Sequence, residues 1–147
     1  MIEKLTIFYA DDDIDDLEFF RIIVKRISDT YEVLTYSDGY DLLEALNNPH
    51  TDPFLLFLDI NMPKINGFEV LKKLRECDKF LNLPVIMFST TKDGPFIQKS
   101  MELGASYYVP KSARFEDLKQ SIEHTLNINW NNFSPDLSNF TYSGTSN

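Results

Sequence analysis

The chain has one cysteine, two histidines and no long apolar run, and each shortage removes a class of protein. Cys77 alone permits no internal disulfide, and there is neither a CxxC pair nor a zinc spacing, so a disulfide scaffold and a zinc domain are excluded. It reads as an ordinary reduced thiol near the end of a helix. His50 and His124 sit at no metal-ligand spacing and read as surface residues. No window approaches the roughly 18 apolar residues of a membrane span. The opening MIEKLTIFYADDD turns acidic too soon for a signal peptide. The expected location is the cytoplasm, without membrane insertion. Basic residues are scarce as well: 14 Lys and Arg against 23 Asp and Glu give a formal charge of −9. A field of that sign repels nucleic acid and argues against direct binding to it.

What is present suffices for one soluble domain: 147 residues, 43% hydrophobic and 25% charged, can bury a core without disulfides. Four apolar runs read as buried strands: Leu5 to Ala10, Phe54 to Leu58, Val85 to Phe88 and Tyr107 to Val109. A fifth, Tyr31 to Tyr36, is more polar and suits a sheet edge. Runs bounded by turn residues fit a parallel sheet covered on both faces, whose strands need not alternate. Amphipathic helical patterns lie between them, at 16 to 27, 41 to 48, 67 to 77, 95 to 104 and 115 to 126. Pro49 is expected to end the second, Pro95 suits the first turn of the fourth, and Gly104 suits its C-terminal cap. Five β-α units in succession argue for an α/β fold with a parallel sheet and right-handed crossovers.

Beyond Asn127 the composition shifts to Asn and Ser, yet Trp130, Phe133, Phe140 and Tyr142 remain. The division expected is a domain over 1–128 and a C-terminal extension over 129–147 without a fold of its own. A loose tail is the plainer reading. Docking on the domain or a partner through the aromatics is the other.

In open parallel sheets ligands bind beyond the carboxyl ends of the strands. Gathered there are Asp11, Asp12 and Asp13 after the first strand, Asp59 after the third, Ser89 and Thr90 at the end of the fourth, and Lys111 after the fifth. Clustered carboxylates raise one another's pKa unless a cation neutralises them, and Mg2+ favours hard oxygen ligands. One carboxylate can then attack phosphorus, while lysine and hydroxyl hold the phosphoryl oxygens.

The blocks ADDD, FLDINMPKINGFEVLKKLR, PVIMFSTT and GASYYVPK together resemble the receiver domain of two-component response regulators, over roughly residues 4 to 127. The resemblance implies a (βα)5, doubly wound, flavodoxin-like three-layer sandwich with a five-stranded sheet. It implies Asp59 as phosphoacceptor and Mg2+, with Mn2+ as a substitute, held by Asp11, Asp12, Asp59 and the backbone carbonyl of Asn61. Asp12 would ligate the metal directly. Ser89, Lys111 and the switching aromatic Tyr108 match the family's remaining functional positions, and Asn61 with Thr91 match the two positions that tune dephosphorylation. The implied partners are a histidine kinase or histidine phosphotransfer protein and a downstream protein, with homodimerisation left open. A stand-alone, chemotaxis-regulator-like protein is expected, a phosphoacceptor with only self-phosphorylation and slow autodephosphorylation. One departure is that Ser112 stands where the family usually has proline after the lysine, so the Lys111–Ser112 peptide should be trans.

Several residues have plainer readings. Asp13, Asp15 and Asp16 suit a helix N-terminus by capping amides and meeting the dipole. Gly67 reads as a turn or close-packing position and Pro63 as a rigid part of the same loop. Asp11-x-Asp13 also resembles the opening of haloacid-dehalogenase-type phosphatases, but those place a further acidic motif after the lysine. A calcium loop starting at Asp11 fails, with Asp16 where glycine is needed and Ile22 where glutamate is needed. A non-phosphorylated interaction module of the same fold is a further alternative, against which the intact set of acids, hydroxyl and lysine argues.

Overall fold

The computed structural model describes residues 4–48 and 52–144. Strands and helices alternate as β1 (Leu5–Ala10), α1 (Ile14–Ile27), β2 (Tyr31–Tyr36), α2 (Gly39–Leu46), β3 (Leu55–Leu58), α3 (Gly67–Arg75), β4 (Val85–Ser89), α4 (Gly94–Glu102), β5 (Tyr107–Pro110) and α5 (Phe115–Leu126). A single 3-10 turn, Asp78–Phe80, follows α3 and had no sequence signal of its own. The strands are all parallel in the order β2-β1-β3-β4-β5. Winding therefore goes one way from β1 to β2 and the other way through β3, β4 and β5. Helices α1 and α5 fall on one face and α2, α3 and α4 on the other. This is the flavodoxin-like sandwich that the β-α alternation and the resemblance imply.

Local chemistry sets the element ends. Helix α1 begins at Ile14, two residues before its periodic face, because the Asp13 side chain accepts from the amides of Asp15 and Asp16. Helix α3 opens with a reciprocal capping box between Asn66 and Glu69. Pro95 occupies the first turn of α4. Gly104, just past its end, takes a φ of 98°, which a side chain resists. Helix α2 closes at Leu46, while Pro49 and His50 lie outside the described residues.

Strand side chains alternate between the two faces. Ile7 and Tyr9, Leu55 and Phe57, Ile86 and Phe88, and Tyr107 and Val109 pack under α1 and α5. Phe8, Leu56, Leu58, Met87 and Tyr108 pack under α2, α3 and α4. Tyr9, Phe20, Phe57 and Phe88 form a chain of tilted and edge-on rings with centroids 4.5 to 5.7 Å apart. That aromatic layer lies directly beneath the carboxyl ends of β1, β3 and β4.

The segment after α5 is docked rather than loose. Strand β5 is the last in the sheet, so one side of it has no neighbouring strand. There the Tyr108 amide donates to Phe140 O at 2.9 Å, and the Tyr142 amide donates to Tyr108 O at 2.9 Å. Thr141 thereby forms a parallel bridge to Tyr108. The Phe140 side chain is 2% exposed on the α2–α4 side, whereas Trp130, Phe133 and Tyr142 pack on the α1/α5 side. The Trp130 indole donates to Thr125 O at 3.1 Å. Asp136 accepts from Ser138 and Asn139, tightening the loop before the bridge.

Since Phe140 is buried in the main core, Phe140→Ala should destabilise the full chain by about 3–5 kcal/mol, typical of a deleted buried ring. Urea denaturation measures this. A loss below about 1 kcal/mol would mean that the docked tail adds nothing to the core.

Candidate functional site

The site is assembled by backbone ladders that run one residue past each strand. The Asp11 amide donates to Tyr36 O at 3.0 Å, the Asp59 amide to Ala10 O at 3.0 Å, and the Lys111 amide to Ser89 O at 2.8 Å. Residues 11, 59 and 111 continue the alternation toward α1 and α5, so their side chains converge. Ser89 and Tyr108 belong to the opposite parity, on the α4 side.

Carboxylate oxygens of Asp11, Asp12 and Asp59 all lie within 4.8 Å of one another. Asp11 and Asp59 are buried, while Asp12 is exposed at the mouth. The Lys111 ammonium lies 2.5 Å from Asp11 Oδ2, 3.0 Å from Asp16 Oδ2 and 3.7 Å from Asp59 Oδ1. It also sits over the Phe88 ring. Asp11 is held by three donors: Oδ2 accepts from the buried Tyr9 hydroxyl as well as from Lys111, and Oδ1 accepts from the Asp13 amide at 3.0 Å.

Burial pushes the Asp59 carboxyl up to about 7; the Lys111 charge pulls down, the Asp11 charge pushes up, the Ile60 amide pulls down and the Asp12 charge adds to the rise. Burial alone would lower Lys111, but the charges of Asp59 and Asp11, with the hydrogen bonds to Asp11 and Asp16, outweigh it and hold the ammonium above its ordinary range. Burial and the Asp11 charge raise Tyr9, which keeps it a hydrogen-bond donor. Three oxygen-donor carboxylates at this spacing fit a hard divalent cation rather than a thiophilic one.

The β3–α3 loop leans on Gly67. A Cβ there would fall 2.3 Å from Asp59 O and 2.9 Å from Ile60 Cα, so only glycine lets α3 start against the backbone of Asp59. The Gly67 amide donates back to Ile60 O at 2.9 Å. Asn61 is exposed two residues beyond Asp59, in the same loop as Pro63.

On the other parity, Ser89 is fully buried and its Oγ accepts from the Thr91 amide at 3.3 Å. The Tyr108 ring is fully buried and its hydroxyl donates to Thr91 O at 2.8 Å. Burial pushes that hydroxyl up to about 12, against a lowering hydrogen bond with Ser89. Thr91 thus links the serine to the tyrosine. The Lys111–Ser112 peptide is trans, as the serine requires. His124 is exposed on α5, near the rings of Tyr107 and Tyr142.

Two participants lie outside the sequence reading. Asp16 was assigned only to the helix start; it does follow the Asp13 cap, but its carboxylate also grips Lys111. Tyr9 carried a usable signal: it stands two residues before Asp11 on one strand, hence on the same face.

A parallel α/β sheet with buried acids and a lysine at its carboxyl edge has the parts that phosphoryl chemistry uses. The profile of the response regulator receiver domain matches residues 7–123, and the chain belongs to that family. It is 30% identical over 119 residues to the chemotaxis protein CheY1 of Helicobacter pylori, covering 79% of this chain and 95% of that protein. It spans 21% to 49% of the length of three longer curated relatives. The phosphorylated cyanobacterial phytochrome response regulator RcpA is 26% identical, with a TM-score of 0.78 over 90% of this chain and 97% of that one. The Mn2+-bound form of response regulator Rcp1 superposes with a TM-score of 0.77 over 90% of this chain and 99% of that one; at 22% identity this shows shared fold alone. Among the described residues, no helix is long and apolar enough to cross a membrane.

Without metal, the raised Asp59 pKa gives stability a definite sign. Below the ordinary 3.8, folded and unfolded chains both hold the proton. As pH rises toward about 7 the unfolded chain releases it first, so rising pH favours unfolding. In EDTA, Asp59→Asn should therefore melt above wild type at pH 8, with the gap closing toward pH 4. A few degrees are expected, since about 1 kcal/mol moves a domain of this size by ~2–4 °C. An equal gap at both pH values would contradict the assignment. Gly67→Ala should cost about 1–3 kcal/mol by overpacking, read by urea denaturation, and a neutral result would show that the loop can yield.

Proposed function

We propose that this chain is a response regulator that accepts a phosphoryl group on Asp59 from a phosphohistidine of a histidine kinase or histidine phosphotransfer protein. The observation that carries the reading is the meeting of three carboxylates and one ammonium at the sheet's carboxyl edge. An oxygen of Asp59 attacks phosphorus, the donor's P–N bond breaks, and its electron pair stays with the imidazole. Asp11, Asp12 and Asp59, with the Asn61 carbonyl, would hold Mg2+, or Mn2+ in its place. Bound there, the cation supplies charge neutralisation for the acids and the phosphoryl oxygens. Lys111 meets one phosphoryl oxygen with a charge-assisted hydrogen bond, and the Ser89 hydroxyl meets another.

The charge added by an ordinary phospho-residue is about −1.5 to −2. Drawn toward it, Ser89 would release the Thr91 amide, and Thr91 is the residue that the Tyr108 hydroxyl holds. Hydrogen bonding through Thr91 supports a switch in which Tyr108 changes its seating and the surface of β4, α4, β5 and α5 changes with it. Asn61 and Thr91 flank the acceptor and would tune how fast water removes the phosphate. The receiver is read as residues 1–128 with 129–147 as a C-terminal extension, whose residues 130 to 142 dock on it. It signals to a partner protein rather than acting on a separate substrate, a reading that its 95% coverage of a chemotaxis regulator supports.

Intact-protein mass after incubation with acetyl phosphate and Mg2+ tests the reading. Wild type should gain one phosphoryl group, Asp59→Asn should gain none, and EDTA should abolish the gain. Phosphate turnover without any adduct would favour a phosphatase instead.

A further inference from the structure

Lys111 has three carboxylate neighbours, and they are not equivalent. Asp11 and Asp59 belong to the oxygen cluster that a divalent cation would share, and Asp16 does not. A cation entering that cluster would share the Asp11 and Asp59 carboxylates with the ammonium, whose Nζ lies 2.5 Å from Asp11 Oδ2 and 3.7 Å from Asp59 Oδ1. Two positive charges on the same buried carboxylates repel each other strongly. The ammonium therefore has to give way, and a buried ammonium without a partner is costly.

Asp16 offers the place to which it can move. Its Oδ2 already lies 3.0 Å from Lys111 Nζ, at the solvent rim, with the Asp16 side chain 35% exposed and that of Lys111 9%. The Asp16 backbone is fixed, because the Asp13 cap accepts from its amide at 3.2 Å. There is also room: a cavity of about 320 Å³ opens beside the pair, lined by Asp16, Phe19, Phe20, Phe88, Lys111 and Ser112. The Phe88 ring lies under the ammonium, 5.4 Å from it, along this side of the site.

We propose that Asp16 is a positioning residue for phosphoryl transfer: it holds the Lys111 ammonium beside the cluster while the metal enters, so that lysine and metal do not exclude each other. Asp16 touches neither metal nor phosphorus, and it acts through Lys111. The proposal deepens the phosphoacceptor reading and rests on it.

The test is a double-mutant cycle on metal affinity, by calorimetric titration of the full chain with Mg2+ and no phosphodonor. In the Lys111 background, Asp16→Asn should weaken Mg2+ binding by about fivefold, a coupling of about 1 kcal/mol. In the Lys111→Met background the same substitution should change it by less than about twofold, since no ammonium is left to hold. A loss of equal size in both backgrounds would mean that Asp16 acts only as a nearby negative charge, and would overturn the proposal. No loss in either would overturn it too. Failure of wild type to bind Mg2+ would sink the metal reading itself, an outcome distinct from both. Asp16 lies at the rim, so its variants should remain folded, and far-UV circular dichroism checks this. As a second readout, the acetyl phosphate reaction of Asp16→Asn should be slow at limiting Mg2+ and recover at saturating Mg2+. A deficit that persists at saturation would contradict a role exerted through metal entry.

Discussion

Two buried carboxylates a few ångströms apart cannot both ionise unless something cationic stands between them, and this constraint shapes the whole upper edge of the sheet. Among the side chains here that cation is Lys111. In the strand order, β5 is separated from β1 by β4 and β3, so the side chain must reach across two strands to meet Asp11. A long, flexible stem does so, lying over the Phe88 ring of β4. Everything beneath must hold still for the geometry to survive. The aromatic layer of Tyr9, Phe20, Phe57 and Phe88 provides that floor, and Tyr9 adds a hydrogen bond from the floor to Asp11.

Much of this was legible in the sequence because it follows from periodicity. Short apolar runs between amphipathic stretches gave five strands and five helices, and the carboxyl-edge rule brought Asp11, Asp59, Ser89 and Lys111 together across a hundred residues. Element ends moved by a residue or two wherever side chains took over from periodicity, as when Asp13 started α1 at Ile14. Parity could have been taken further. It places Asp11, Asp59 and Lys111 on one face and Ser89 with Tyr108 on the other, so acid chemistry and switch occupy opposite sides of one sheet. Asp16 escaped because its position in the first turn of a helix already explained it. A residue with a sufficient local reason gives no sign of a second, tertiary one.

The tail shows a different limit. Its aromatics signalled contact, but sequence pattern gave no direction for it, since a single bridge between Tyr108 and Thr141 has no periodicity to detect. Only the free side of β5 explains why residues 140 to 142 settle there. Their two hydrogen bonds satisfy the outward amide and carbonyl of the residue whose side chain lies at the switch. The tail is thereby part of the environment of Tyr108, although it is remote from Asp59 in the chain.

An open sheet has two borders, and unpaired strand borders are templates on which further chains can stack. Here both are attended to. Along β2 the Arg21 guanidinium bonds to Val33 O and Thr35 Oγ1, laying a charge against that side. Along β5 the tail takes up the pairing capacity of Tyr108 with Phe140 and Tyr142, which follow a polar loop tightened by Asp136. At Tyr108 the chain's own peptide occupies the place a neighbouring strand would take, so strand addition there would first have to displace the tail.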